Sequence, residues 1–429
     1  MITVQKLKQV MAESQFLSPA TPTPRNKYLS WLEKASENLL IKAVLGFRRS
    51  GKSYLLKMLS LSLIKKGVSP ENIFYLNFEN DLLNEIKEVA NLRTLWEIYL
   101  REIPNLEKPI YIIWDEIQLV KNWEKLVRTL YEQNKYNIFL SGSNSQLLSG
   151  ELSSSLSGRS LQIEVLPFSF AEFLTHEHID HSSYFQNKST IDRAFMIYLK
   201  RGGIAEQFIL DDNLAVNYRD GLIQKIILDD IIRRYQIDKV NVLKETFEFV
   251  RGNITSTLSL RKIISRLDNQ MLSVSPATLD NYLYYWQTSY AINKLVKFDY
   301  RLSRVFERTA KYYVIDNLLI SGGDEQNEKR LENLVFNELV RRYGRENINF
   351  AQDANGYEID FLVKNDNKLL FFQVCLQLND NNANREIGNI NLIKNKLKGD
   401  GKIIVLDDLR TKTNQSDIPI ISVIEWLLA

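Results

Sequence analysis

The 429-residue sequence has a single cysteine, Cys375, which excludes an internal disulfide and a cysteine-built zinc site and points to a reducing cytoplasm. It has no run of about 18 uncharged apolar residues, so no membrane span is expected. Its opening residues, MITVQKLKQVMAESQF, hold no apolar run of signal-peptide length. Nor is there a charge excess. With 55 Lys and Arg against 52 Asp and Glu the net charge is +3, which excludes a wholly electrostatic nucleic-acid binder but not a local basic patch. Repeats at a solenoid period and low-complexity tracts are also missing. What remains is ordinary globular material, 45% hydrophobic and 25% charged, which excludes disorder as the main state. At about 150 residues per domain the length suggests two to four domains. A cytoplasmic protein is expected.

The first break is the helix-hostile Thr21-Pro22-Thr23-Pro24. A helix-like run at 28–38 follows, then apolar strand patterns at 39–45, 72–78, 109–114, 137–140 and 160–165, separated by longer periodic segments. Such alternation predicts a parallel sheet sandwiched by helices. Residues 190–290 read as almost wholly helical apart from Arg201-Gly202-Gly203. Ser321-Gly322-Gly323-Asp324 reads as a linker. Beyond it the order is helix, three strands, helix, strand and a short final helix, a usual size for one α/β module. The expected segments are 1–38, lead-in helices; 39–210, an α/β nucleotide-binding domain; 211–320, a helical domain; and 325–429, a C-terminal α/β module.

Gly46-Phe47-Arg48-Arg49-Ser50-Gly51-Lys52-Ser53 matches G-x-x-x-x-G-K-[ST], directly after an apolar strand and directly before a helix that opens with Tyr54. Gly46 and Gly51 let backbone amides close around phosphate oxygens, and the helix N-terminus adds its positive end. Lys52 would reach the β- and γ-phosphates, and the Ser53 hydroxyl would ligate Mg²⁺. Ile110-Tyr111-Ile112-Ile113-Trp114-Asp115-Glu116 supplies the partner motif, with Asp115 as the metal-side carboxylate and Glu116 placed to polarise a water. Together they predict binding of MgATP or a similar nucleoside triphosphate. The Asp-Glu pair suggests a hydrolase with its own base. The apolar strand at 73–78, between the motifs, points to a catalytic strand not adjacent to the phosphate-loop strand. The next strand ends in Ser141-Gly142-Ser143-Asn144, where Ser143 and Asn144 are candidates to hydrogen-bond the attacking water or the γ-phosphate.

These runs, with L-S-G-R-S at 156–160 and L-P-F-S-F-A-E-F-L from Leu166 to Leu174, resemble the prokaryotic AAA-superfamily ATPases whose core is fused to a C-terminal domain of unassigned function. The family's paired loop arginines match Arg48 and Arg49. Its G-R motif matches Gly158-Arg159, and its P-x-S-x-x-E-F motif matches Pro167 to Phe173. Its G-G-[FI]-P-E motif stands as Gly202-Gly203-Ile204-Ala205-Glu206, with Ala205 in place of proline. The resemblance implies a P-loop ATPase acting as a switch or motor. Arg159 would neutralise charge developing on the γ-phosphate, in its own chain or a neighbouring one; anchoring a loop to a carboxylate is the other reading. The alternative function is an ATP-stabilised binding module without significant turnover. Monomer and nucleotide-dependent oligomer both remain open.

In the middle segment, 259–267 reads as a short helix. Ser275-Pro276 opens a second one that places Leu279, Tyr282, Leu283 and Trp286 on one face. The basic stretch Lys294, Lys297, Arg301, Arg304, Arg308 and Lys311 follows, interrupted by Asp299 and Glu307. The outline is that of a winged helix-turn-helix, which makes duplex DNA a candidate partner through residues 259–311 and a protein contact the other candidate. Residues 328–429 resemble the PD-(D/E)XK nuclease fold. That resemblance implies Mg²⁺-binding roles for Glu332 and Asp360, but Gln373-Val374-Cys375 stands where E-x-K belongs. A kept fold with lost nuclease chemistry is expected. His176, His178 and His181 read as a solvated loop, and Cys375 as a buried small hydrophobe.

Overall fold

Five of the apolar runs become strands of one all-parallel sheet: β1 (Ile41–Leu45), β2 (Ile73–Asn77), β3 (Ile110–Asp115), β4 (Tyr136–Gly142) and β5 (Ser160–Glu164), in the order β2-β3-β4-β1-β5. The computed structural model describes residues 3–15, 22–145, 158–298, 309–352, 357–366, 368–410 and 418–429. Arg301, Arg304 and Arg308, with Asp299 and Glu307, lie outside the described residues. The chain folds as two units, Met1–Leu166 and Pro167–Ala429.

In the first unit every β1 residue is buried, as expected of a central strand covered on both faces. Helices α1 (Val4–Gln15), α2 (Asn26–Ala35), α3 (Lys52–Lys65), α4 (Val89–Glu102) and α5 (Trp123–Glu132) accompany the sheet. α2 and α3 set Tyr28, Leu32, Leu55, Leu56 and Leu59 against Val44, Tyr75, Ile113 and Phe139. Each such side chain contributes roughly 1.5–3 kcal/mol on burial. The strand that separates β3 from β1 is β4; β2, whose place in the sequence suggested an inserted strand, lies at the sheet edge. Register aligns the strand ends, with Asn77 opposite Asp115, Trp114 opposite Leu140 and Leu45 opposite Gly142. The loops after β1, β3 and β4 therefore open at one edge. The carboxyl edge of such a sheet is where ligands bind.

The second unit begins with helices Phe170–His176 and Lys188–Arg201. Ser169 and Glu172 form a reciprocal capping box on the first. Gly202 follows at φ +80 and Gly203 lies against the Phe168 backbone, so a Cβ on either would clash. The Gly203 N–H donates to the buried Asp316 carboxylate at 2.6 Å. His176 packs between Phe168 and Phe208 rather than lying in a solvated loop. Helices Asp212–Lys225 and Val240–Gly252 come next, and the stretch read as wholly helical is interrupted by strand β6 (Thr257–Ser259). Helices Leu260–Asp268 and Pro276–Thr288 then lead to β7 (Ile292–Val296) and β8 (Thr309–Val314), which form an antiparallel sheet in the order β6-β8-β7.

Helix Asn327–Tyr343 precedes the mixed sheet β13-β12-β11-β10-β9. Its strands are β9 (Ile348–Gln352), β10 (Glu358–Asn365), β11 (Lys368–Leu378), β12 (Asp400–Asp408) and β13 (Ile420–Ser422). β9, β10 and β11 are antiparallel neighbours, whereas β12 joins β11 in parallel through helix Ala383–Leu397. Cys375 is buried in the core beneath that helix, and burial pushes its thiol up to about 11. Among the described residues, no helix is long and apolar enough to cross a membrane.

Candidate nucleotide site

The phosphate loop runs from the end of β1 to the first turn of α3. Its backbone needs left-handed conformations at Gly46 (φ +146), Arg49 (φ +66) and Gly51 (φ +93); a Cβ on Gly46 would strike the Val165 carbonyl. Gly51 is the residue that caps α3, so the amides of the first helical turn are left for an anion. Phe47 and Ser50 are buried in the loop, while Arg48 pairs with Glu79 at 3.0 Å. Arg49 and Tyr54 are exposed.

Lys52, only 4% exposed, turns its ammonium back over the loop. The ammonium donates to the carbonyls of Gly46 and Phe47, each at 3.1 Å, and lies 3.5 Å from Glu116 Oε1. Glu116 is held in a left-handed conformation, φ +54, by the turn after β3. Burial alone would raise its carboxyl, but Lys52, the Gln118 amide and Arg48 hold it below the usual carboxylate value. Asp115 has the opposite environment. Burial, and then the neighbouring Glu116 charge, push it up to about 6 against the pull of Ser141, Ser53 and Lys52.

Two polar groups orient this pair, and a third braces the loop. The Ser141 hydroxyl donates to Asp115 and accepts the Glu116 N–H at 2.9 Å. The buried Tyr75 hydroxyl lies 3.4 Å from Asp115 Oδ2 and 3.2 Å from the Ser53 carbonyl. Arg25, 3% exposed, donates to the Ser50 carbonyl at 2.8 Å and the Leu166 carbonyl at 2.9 Å, and stacks over Tyr28. Tyr75 and Arg25 lie outside the motifs. Ser141 sits one residue before Gly142 in a run whose later serine drew attention, whereas Tyr75 and Arg25 act across 40 and 25 residues of sequence.

Ser143 and Asn144 are both 1% exposed and follow β4, the strand between the phosphate-loop strand and the Asp115 strand. Arg159 is not brought to the loop. It precedes β5 at the amino edge of the sheet, its carbonyl bonded to the Ile41 N–H and its side chain toward Glu132 at 3.8 Å and the Tyr131 ring. The five residues of β5 put it about 16 Å from the level of the loop. The expected role within its own chain is therefore corrected: the register separates Arg159 from the phosphate loop.

Lys311 is also corrected. Placed by the sequence in a basic, phosphate-contacting stretch, it is 2% exposed and enclosed by carboxylates. Lys294 is exposed and Lys297 half-buried.

Mg²⁺ takes hard oxygen ligands. The Ser53 hydroxyl is near enough to the Asp115 carboxyl to pull it down, and together they make a donor set that fits this ion.

A family model described as an AAA domain matches residues 38–174, and a second, a domain of unknown function (DUF8612), matches residues 193–321. An uncharacterized protein of Haemophilus influenzae is 31% identical over 411 residues, covering 94% of this chain and 98% of the relative. The uncharacterized protein MJ1544 of Methanocaldococcus jannaschii is 35% identical over 360 residues, 81% of this chain and 77% of the relative. The chain belongs to this family of AAA-domain proteins, and its first unit has the α/β P-loop fold. Among solved structures, the Walker-type ATPase PABY2304 of Pyrococcus abyssi aligns at a TM-score of 0.45 with 15% identity, over 72% of this chain and 98% of that one. That likeness is too loose to argue from.

Proposed function

We propose that this AAA-type protein binds MgATP and hydrolyses it, acting as a switch or motor on a DNA or protein partner engaged through its second unit. The observation that carries the reading is the convergence of the phosphate loop, Asp115-Glu116 and Ser143-Asn144 at one edge of the sheet. The amides of residues 46–54 would hold the phosphates, with Lys52 leaving its carbonyl partners for the β- and γ-oxygens. Ser53 and Asp115 would hold Mg²⁺, which when bound screens the phosphate charge. Once Lys52 turns to phosphate, Glu116 is freed of its ion pair and can accept a proton from water. Ser143 and Asn144 would orient that water or the γ-phosphate. Arg159 could act only on a neighbouring chain.

For the second unit, the order of helices around β6-β8-β7 supports a winged helix-turn-helix reading. The exposed side of helix Pro276–Thr288 presents Asp280, Asn281 and Tyr284, however, and no cation. Its neighbour, Leu260–Asp268, exposes Arg261, Lys262 and Arg266. The helix, three antiparallel strands, helix and parallel strand of residues 327–408 support a nuclease-like fold, with Gln373 and Cys375 arguing against cleavage.

Calorimetry with MgATP tests the nucleotide reading. Lys52→Ala removes the cation that meets the phosphates, so affinity should fall at least about tenfold. Unchanged affinity would move the nucleotide elsewhere. Tight binding without turnover, with or without DNA, would favour the reading in which ATP is held structurally.

A further inference from the structure

The Lys311 ammonium lies 2.7 Å from Glu358 Oε1, 3.3 Å from Glu332 Oε1 and 3.3 Å from Asp360 Oδ1. These groups come from three elements: Lys311 from β8, Glu332 from helix Asn327–Tyr343, and Glu358 and Asp360 from β10. Residues 311 and 313 share one face of β8, and the Tyr313 hydroxyl donates to the same Glu332 oxygen at 2.7 Å. Asp360 Oδ2 accepts the Val374 N–H of β11 at 2.9 Å. Neutral donors thus hold Glu332 and Asp360, and one oxygen from each of the three carboxylates meets the same ammonium.

An ammonium offers three donors, one for each carboxylate. The other wall of the cluster holds a neutral amide and an ion pair closed on itself. Gln373, 7% exposed, leaves its Oε1 without a hydrogen-bond partner among the described residues, and the buried Glu386 is paired with Arg385 at 2.5 Å. Burial raises the Glu332 carboxyl, with Lys311 pulling against it and the Asp360 charge adding to it.

We propose that Lys311 is a resident counter-ion that fills the cation position of this cluster, so that the C-terminal module closes with the chain's own ammonium in place of a hard divalent cation. Substituting the lysine opens a three-carboxylate site for such a cation. The inference deepens the nuclease-like reading, yet the exchange of cations holds whether or not the module ever cut a phosphodiester. It is also independent of the nucleotide site, so the two can fail separately.

Mn²⁺ uptake by the full-length, nucleotide-free protein, followed by electron paramagnetic resonance and by thermal unfolding, tests the proposal. Lys311→Met should bind one more Mn²⁺ per chain than wild type, and Mn²⁺ should raise its lowered Tm. Lys311→Arg, which keeps the charge, should gain none. The proposal is overturned if Lys311→Met takes up no additional Mn²⁺. It is equally overturned if wild-type protein binds an Mn²⁺ that Asp360→Asn removes. Should Lys311→Met not accumulate as folded protein, the wild-type and Asp360→Asn titrations decide alone: no ion lost between them supports the resident ammonium.

Discussion

Two regions of this chain set a buried lysine against carboxylates, and they do so for opposite ends. At the nucleotide site Lys52 faces one carboxylate at 3.5 Å and two loop carbonyls at 3.1 Å, beneath left-handed glycines and a helix N-terminus. Every partner there is one an incoming phosphate can outbid. In the C-terminal module Lys311 sits on a strand among three carboxylates, one as close as 2.7 Å, and its burial is offset so fully that its ammonium is held well above the usual lysine value. Lys42 provides the control. It is just as buried on β1 but has neutral partners, Asn137 and the Asn38 carbonyl, and burial lowers it to about 8. Depth in the fold does not decide what a lysine does; the charge and mobility of its partners do.

The comparison breaks most directly at Glu116. If its pairing with Lys52 is exchangeable, Glu116→Gln should leave MgATP affinity near wild type while steady-state phosphate release drops by about 10²- to 10⁴-fold, the usual contribution of a positioned base. Wild-type turnover in that variant would make the 3.5 Å pair a structural ion pair of the Lys311 kind.

The difference between the two lysines also explains what the sequence disclosed. The nucleotide site is written in short segments, an eight-residue loop and an apolar strand ending in Asp115-Glu116, because a helix N-terminus and a strand end are local geometries. The five strands of the first unit were legible for the same reason. That β3 is not adjacent to β1 was legible too, but which strand separates them was not: β4 lies between them and β2 flanks β3 on its other side, an order that depends on crossovers. For Arg159 it is the role within its own chain that fails, because a motif gives a position along the chain and not an edge of the sheet. Lys311 was misjudged because a charge in a basic run looks solvated until β8 is placed against β10 and helix Asn327–Tyr343. Arg25 and Tyr75 carried no signal, since their partners are remote in sequence.

The carboxylates differ as sharply as the lysines, and pH should separate them. Burial and the Glu116 charge push Asp115 up to about 6, so below that value Mg²⁺ must displace a proton. MgATP affinity should be flat above about pH 7 and fall by about tenfold per unit below 6, measured by calorimetry over a range where the protein stays folded. The sign for stability is the reverse. A carboxyl whose folded value is raised contributes stability below its unfolded value, lost as pH climbs through the folded one. Asp115 therefore favours the free fold on acidification while disfavouring MgATP. Asp115→Asn should flatten the affinity profile, and a slope that survives the substitution would assign the proton to another group.

The smallest expected effect tests whether the ammonium of Lys311 is withdrawn from solvent. If the second unit binds duplex DNA, each lysine or arginine contacting a phosphate adds about 0.9 to the steepness with which log affinity falls against log salt. Lys294 is exposed on β7 and Lys297 follows it half-buried, so replacing both with alanine should flatten the slope by about 1.8. Lys311→Met removes a charge of the same sign from the adjacent strand, yet it should leave the slope unchanged, because an ammonium held by Glu332, Glu358 and Asp360 releases no counterion from DNA. Equal flattening by Lys311→Met would show the ammonium reaching phosphate and would dissolve the contrast between the two lysines. DNA binding with no salt dependence, or none at all, would instead give the winged segment to a protein partner, where the cation-free exposed side of helix Pro276–Thr288 is better suited.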